Sequence, residues 1–239
     1  MDKRAYIRDE FSKIQIELSE KQAEQFEQYY EMLIAKNEVM NLTAITEFEE
    51  VVQKHFIDSV MIKEVRKLGD NEKWIDVGTG AGFPGIPLKI VYPQLQVTLL
   101  DSLNKRVKFL QEVVDALGLE QVEALHGRAE EYAKKAEYRE QYDCCVSRAV
   151  ANLASLSEYC LPFVKVGGAF VPYKSGKIQE EIEAAGKAVE ILGGWIGQRK
   201  EFMLPGSDMY RCLLYIEKVK ATAKKYPRKA GMPTKEPLH

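Results

Sequence analysis

Nowhere does the chain approach the ~18 consecutive apolar residues that a membrane-spanning helix requires. Its start also lacks an apolar segment. Met1-Asp2-Lys3-Arg4 leads into further charged residues instead of the centre of a secretory signal. Cysteine is scarce: Cys144 and Cys145 are neighbours inside an apolar run, and no pair has C-x-x-C spacing. That excludes a disulfide framework. The three histidines, His55, His126 and His239, are scattered without ligand spacing, so no metal is expected. These absences predict a reduced, cytoplasmic chain with no membrane partner, and a monomer is expected.

An excess of positive charge is missing too. The formal net charge of −2 does not mark the whole chain as a nucleic-acid binder. Its distribution is uneven, however. Residues 1–70 carry 10 Lys/Arg against 15 Asp/Glu, whereas residues 218–239 carry 7 against 1. Such a basic end beside aromatic and proline residues can grip phosphate or can simply be solvated. No internal repeat or low-complexity tract is visible. What is present is ample core material, with 46 % hydrophobic residues over 239 positions. One medium α/β domain, alone or with an appendage, fits that length.

The first 70 residues read as helices. Ser19 to Gln22 is a capping box, after which Phe26, Tyr29, Tyr30, Leu33 and Ile34 recur at helical spacing. Thr46 to Glu49 reads as a second box, followed by Phe48, Val51, Val52, Phe56, Ser59 and Val60 on one face. Gly69-Asp70 is expected to stop that helix. From residue 73 the pattern changes to short apolar runs separated by helical stretches. The runs are 74–77, 97–101, 122–126, 143–147, 169–173, 195–202 and 210–219. Helices are expected near 85–91, over 103–117 and over 178–192. Strand–helix alternation predicts a parallel sheet, and the short loop before the last run predicts one antiparallel member.

The informative segment is Asp76-Val77-Gly78-Thr79-Gly80-Ala81-Gly82-Phe83-Pro84-Gly85, directly after the first strand. Glycines there let the backbone turn tightly and approach a ligand. A dinucleotide fingerprint would need a glycine where Phe83 stands. The G-x-G-x-G spacing behind an acidic residue is the pattern of S-adenosylmethionine (SAM) enzymes, with Asp76 suited to the cofactor's amine. Packing alone also explains many such turns. The second strand ends at Asp101, roughly 20 residues on, where a carboxylate can accept ribose hydroxyls or cap the next helix.

Residues 76–88, read with Leu-Leu-Asp-Ser-Leu-Asn-Lys-Arg-Val-Lys-Phe-Leu over 99–110, resemble the RsmG family, formerly glucose-inhibited division protein B. Asn41-Leu42-Thr43, His55 through Asp58-Ser59, Arg128-Ala129-Glu130, Ser147-Arg148-Ala149 and the tail from Tyr226 to Gly231 match as well, so the resemblance spans essentially the whole chain. It implies a seven-stranded class I SAM-dependent methyltransferase (Rossmann-like) sheet with an N-terminal helical subdomain. The expected division is 1–70 helical, 71–220 SAM-binding and 221–239 a basic tail. It implies methylation of N7 of a guanine in 16S rRNA, with the small ribosomal subunit or an assembly intermediate as partner. By position, Gly78 and Phe83 match first-loop contacts to SAM, Ala129 and Glu130 match the pair beside its adenine, and Arg148 matches a cofactor-contacting arginine. With Asp76, Gly80 and Asp101 these form the expected cofactor set.

Guanine N7 carries a free in-plane lone pair, so it can take a sulfonium methyl with no proton to remove. Catalysis then reduces to alignment, no general base is required, and Arg148 is the one further candidate near the reacting groups. The fourth strand leads to Ser147-Arg148 and lacks the Asn/Asp-Pro-Pro-Tyr/Phe segment of amino-nitrogen methylases. Cys144, Cys145, Cys160 and Cys212 read as packing residues instead of nucleophiles. Arg106, Lys174, Lys177, Arg228 and Lys229 are the expected phosphate contacts, with Phe83 or Tyr173 as stacking surfaces. The tail follows the last strand and need not enter the cofactor pocket, so its basic residues are not expected to affect SAM affinity. Asn41, His55 and Asp58 are expected to brace the helical appendage against the sheet. Two rival readings stay open at this point: a non-catalytic RNA-binding or assembly factor, and a SAM enzyme of a small molecule or protein.

Overall fold

In the computed structural model, which describes residues 2–148, 150–176 and 178–239, the chain begins with helices α1 (Lys3–Lys13) and α2 (Glu20–Met40). The capping box at α2 forms as read: Ser19 accepts from Gln22 N–H while the Gln22 side chain reaches back to Ser19 N–H. A short α3 (Phe48–Val51) then widens into a π-helical turn, Val52–Ile57. It regains α geometry in α4 (Asp58–Val60) and tightens to a 3-10 turn at Met61–Glu64.

Two expectations are corrected here. Glu47, not Thr46, occupies the N-cap of α3, and it makes no side-chain cap bond. The helical run also ends at Glu64, well before Gly69. Beyond it Arg66 pairs with Glu72 at 2.9 Å and lies over the Trp74 ring, which holds 65–72 to the sheet margin. The apolar face itself is as read, with Phe48, Val51, Val52, Phe56, Ser59 and Val60 all buried.

The sheet consists of β1 (Lys73–Val77), β2 (Gln96–Asp101), β3 (Val122–His126), β4 (Tyr142–Arg148), β5 (Val164–Lys174), β6 (Gly194–Met203) and β7 (Tyr210–Lys218). Their order is β3-β2-β1-β4-β5-β7-β6, with β7 antiparallel to both neighbours. Helices α5 (Gly85–Val91), α6 (Asn104–Ala116), α7 (Ala129–Tyr132), α8 (Leu153–Cys160), α9 (Gln179–Ile191) and a last turn α10 (Met232–Lys235) complete the chain.

Because strand side chains alternate, the sheet divides the core in two. Trp74, Leu99, Cys144, Val146 and Leu213 join the amino-terminal helices, α5 and α6 in one apolar cluster. Ile75, Leu100, Cys145, Phe170 and Leu214 join α8 and α9 in the other. All four cysteines are buried free thiols, and burial pushes Cys144 up to about 12 and Cys212 up to about 11. Thiols so held are poor nucleophiles. Strand order reverses between β1 and β4, and in sheets of this kind ligands bind at that crevice, outside the carboxyl ends of the strands.

Candidate functional site

At the carboxyl end of β1 the chain turns through Gly78, whose φ of +72° suits a residue without a side chain. A Cβ there would stand 2.6 Å from Val150 Cγ2. The turn is tied to its neighbours by backbone and carboxylate bonds. Gly78 N–H donates to Leu100 C=O at 2.8 Å, and Gly80 N–H donates to Asp101 Oδ2 at 2.9 Å. Asp101 is buried, and its Oδ1 accepts from Leu103 N–H while Arg106 approaches Oδ2 at 3.4 Å. It thus joins the first and second βα loops and is not the N-cap of α6, which is Leu103.

Asp76 is fully buried beneath this turn. Its Oδ2 accepts from Thr79 Oγ1 at 2.6 Å and from Gly85 N–H at 2.8 Å. Its Oδ1 has no partner among the described residues. Burial pushes the Asp76 carboxyl up to about 7, against the Thr79 and Gly85 bonds and the Arg148 charge, which favour ionisation. A buried carboxylate oxygen without a donor is costly unless a ligand supplies one.

A hollow of about 170 Å³ opens beside Gly78, lined by Val77, Leu100, Ser102, Ala129, Glu130 and Tyr159 among others. It is smaller than the roughly 300–1,000 Å³ of sites that engulf a drug-sized ligand. A larger hollow of about 520 Å³ lies between α1 and the β6–β7 loop, and no residue of the glycine turn lines it. Gly78, Ala129 and Glu130 therefore come together as expected. Ser102, Val150 and Tyr159 join them without having been foreseen, since no local pattern distinguishes them.

Phe83 and Arg148 face another way. The Phe83 side chain is buried against the amino-terminal layer, stacked on His55 with ring centres 4.5 Å apart and 5.4 Å from Tyr29. The Arg148 guanidinium lies 5.0 Å over the Phe83 ring and donates to Asp58 Oδ2 at 2.8 Å and to Lys54 C=O at 3.3 Å. Asp58 also accepts from Arg211 Nε at 2.7 Å. Burial, helped by the Arg148 charge, lowers His55 to about 3, so it is neutral at pH 7, with Nε2 paired to Thr43 Oγ1 at 2.8 Å. The bracing role read for His55 and Asp58 is what the structure shows. Asn41 contributes through its backbone, in left-handed conformation at the end of α2.

Several expected RNA contacts are engaged internally. Tyr173 is buried, its hydroxyl donating to Ser59 C=O at 2.6 Å, and with Phe83 also buried neither offers a stacking surface. Lys174 donates to Ala151 C=O at 2.8 Å and pairs with Glu181. Arg228 makes a bidentate pair with Glu158, which is 1 % exposed. Lys177 lies outside the described residues. Lys229, with Lys224 and Lys225, remains exposed. The tail reaches the margin of this hollow, where Gly231 N–H donates to Glu130 Oε1 at 2.9 Å.

Residues 22–202 match the family described as rRNA small subunit methyltransferase G (GidB). The chain belongs to this family. A Lachnoclostridium phytofermentans protein named ribosomal RNA small subunit methyltransferase G is 56 % identical over 93 % of this chain and 92 % of its own. The Alkaliphilus metalliredigens protein of the same name is 51 % identical, and the match covers both chains in full. Among solved structures, M. jannaschii TYW2 in complex with AdoMet superposes with a TM-score of 0.55 at 15 % identity, covering 74 % of this chain and 80 % of that one. At that identity the likeness is one of fold. Family and fold both agree with the expectation from the glycine turn.

Proposed function

We infer that this chain is a SAM-dependent methyltransferase of small-subunit rRNA, and that it methylates N7 of a guanine. The observation that carries the reading is full-length family membership together with a bare glycine turn at the strand-order reversal. The residues fit the cofactor. Asp76 Oδ1 is a buried acceptor in want of a donor, and an ammonium group supplies one. Gly78 offers backbone where any side chain would meet Val150. Ala129 and Glu130 border the hollow where the nucleoside end would rest, with Gly80 and Asp101 fixing the turn from behind.

SAM supplies an activated methyl group on a sulfonium. The chain's part is to align and to exclude water. N7 needs no deprotonation, and His55, neutral and stacked on Phe83, is occupied as a spacer and not offered as a base. Phe83 and Arg148 act by locking the first and fourth strand loops to the amino-terminal helices, which keeps the glycine turn in one position for alignment. In this reading 1–70 braces, 71–220 binds cofactor, and Lys224, Lys225 and Lys229 on the tail meet phosphates. rRNA is the substrate, and the chemistry requires no second protein subunit.

Mass spectrometry of nucleosides from 16S rRNA incubated with SAM and protein tests this. One added 7-methylguanosine per rRNA is expected, and its loss in a folded Gly78→Val variant. Methyl transfer to protein or small molecules only, or none, overturns the reading.

A further inference from the structure

The carboxyl-terminal segment reaches the hollow from outside the sheet through a chain of polar contacts. Arg139 pins its start, donating to the carbonyls of Thr222 at 2.7 Å and Tyr226 at 2.9 Å. Arg228 then clasps Glu158 on α8. Gly231, at φ +83°, aims its N–H at Glu130 Oε1. Ser155 Oγ donates to Pro233 C=O at 2.7 Å, and Thr234 Oγ1 pairs with Tyr159 Oη at 2.6 Å. Of the side chains held in this way, Glu130 and Tyr159 both line the hollow beside Gly78.

We propose that residues 226–236 form a positioning strap of the cofactor site, fixing Glu130 and Tyr159 for an adenosine-type ligand. The proposal rests on the reading of the hollow as the nucleoside end of the SAM site. Glu130 is 5 % exposed, and with Oε1 occupied by Gly231 it can turn Oε2 to a hydroxyl or amino donor. Without the strap the carboxylate loses its anchor, and both side chains regain rotamer freedom that a ligand must then remove. The coupling is reciprocal: whatever orders Glu130 and Tyr159 also favours the docked strap. The exposed lysines on the same segment place RNA binding and cofactor retention on one piece of chain.

Two measurements with S-adenosylhomocysteine test the strap. In the intact chain, saturating ligand should slow tryptic cleavage after Lys229 about fivefold or more relative to cleavage after the remote, exposed Lys13. By calorimetry, removal of 226–239 should weaken the ligand about tenfold, and Thr234→Val, which spares the Arg228–Glu158 pair, about two- to threefold. A wild-type chain that binds no ligand overturns the reading of the hollow and the strap with it. A wild-type chain that binds, with unchanged Lys229 cleavage and equal affinity in Thr234→Val, overturns the strap alone.

Discussion

Asp58 and Glu158 are both 1 % exposed carboxylates that meet arginines, one holding the amino-terminal helices and the other the carboxyl-terminal strap. The Arg148 partner of Asp58 lies over Phe83, which begins a run of ring-to-ring contacts through Tyr29 and Phe56 to Phe26. The segment carrying Arg228 buries Tyr226, Pro227 and Pro233 but leaves Lys224, Lys225, Lys229 and Ala230 in solvent. Freeing the first region would expose an aromatic core. Freeing the second would expose one aromatic ring, Tyr226, with two prolines, and would let water reach Glu158. The same pair of groups therefore guards global stability in one place and a local opening in the other.

Asp58→Ala probes the tighter region, and it should lower unfolding free energy by about 3–5 kcal/mol in urea titrations, because Arg148 and Arg211 lose their shared acceptor. A change below 1 kcal/mol would erase the contrast. Lowering pH acts on the same region through His55. Its value is depressed from the ordinary 6.5 to about 3, so its contribution is present above about 6.5 and is lost as the pH falls from there towards 3. Between pH 7 and pH 5 the His55 share should be a loss of about 1–2 kcal/mol, read as the difference between the stability profiles of the unaltered chain and His55→Gln, because Asp76, raised to about 7, gains stability over the same interval and offsets it.

At the strap, Arg228→Ala should change global stability by only about 1 kcal/mol, since release of the segment hydrates Glu158. Amide hydrogen exchange over 226–236 should rise sharply in that variant while β1 and β4 stay protected. Smallest of all, Lys224→Ala, Lys225→Ala and Lys229→Ala together should leave stability within about 0.5 kcal/mol. They should reduce the salt slope of RNA binding by about one unit for each phosphate no longer neutralised, and an unchanged slope would remove these lysines from the RNA surface.

The sheet, its antiparallel last strand and the glycine turn are legible in the chain because each is written locally, in short apolar runs between helical stretches and in the spacing from Asp76 to Gly82. The capping box at Ser19 is local as well. What was not legible depends on distant pairing. Nothing near Phe83 announces that its ring stacks on His55, nor does anything near Arg228 point to Glu158, 70 residues away. The π-helical turn at 52–57 keeps the apolar face that an α-helix would have, so periodicity cannot reveal it. Basic residues in a tail read as solvent-facing until a buried carboxylate is found opposite them.

Cys144 and Cys145 are adjacent, yet their sulfurs stand on opposite sides of β4, one in each apolar cluster. The molecule thereby carries two built-in reporters one residue apart. Under native conditions a thiol reagent can reach Cys144 only when the amino-terminal layer lifts, and Cys145 only when the α8–α9 layer does. Their labelling rates in single-cysteine chains would time the two openings separately, on the same strand and with no foreign probe.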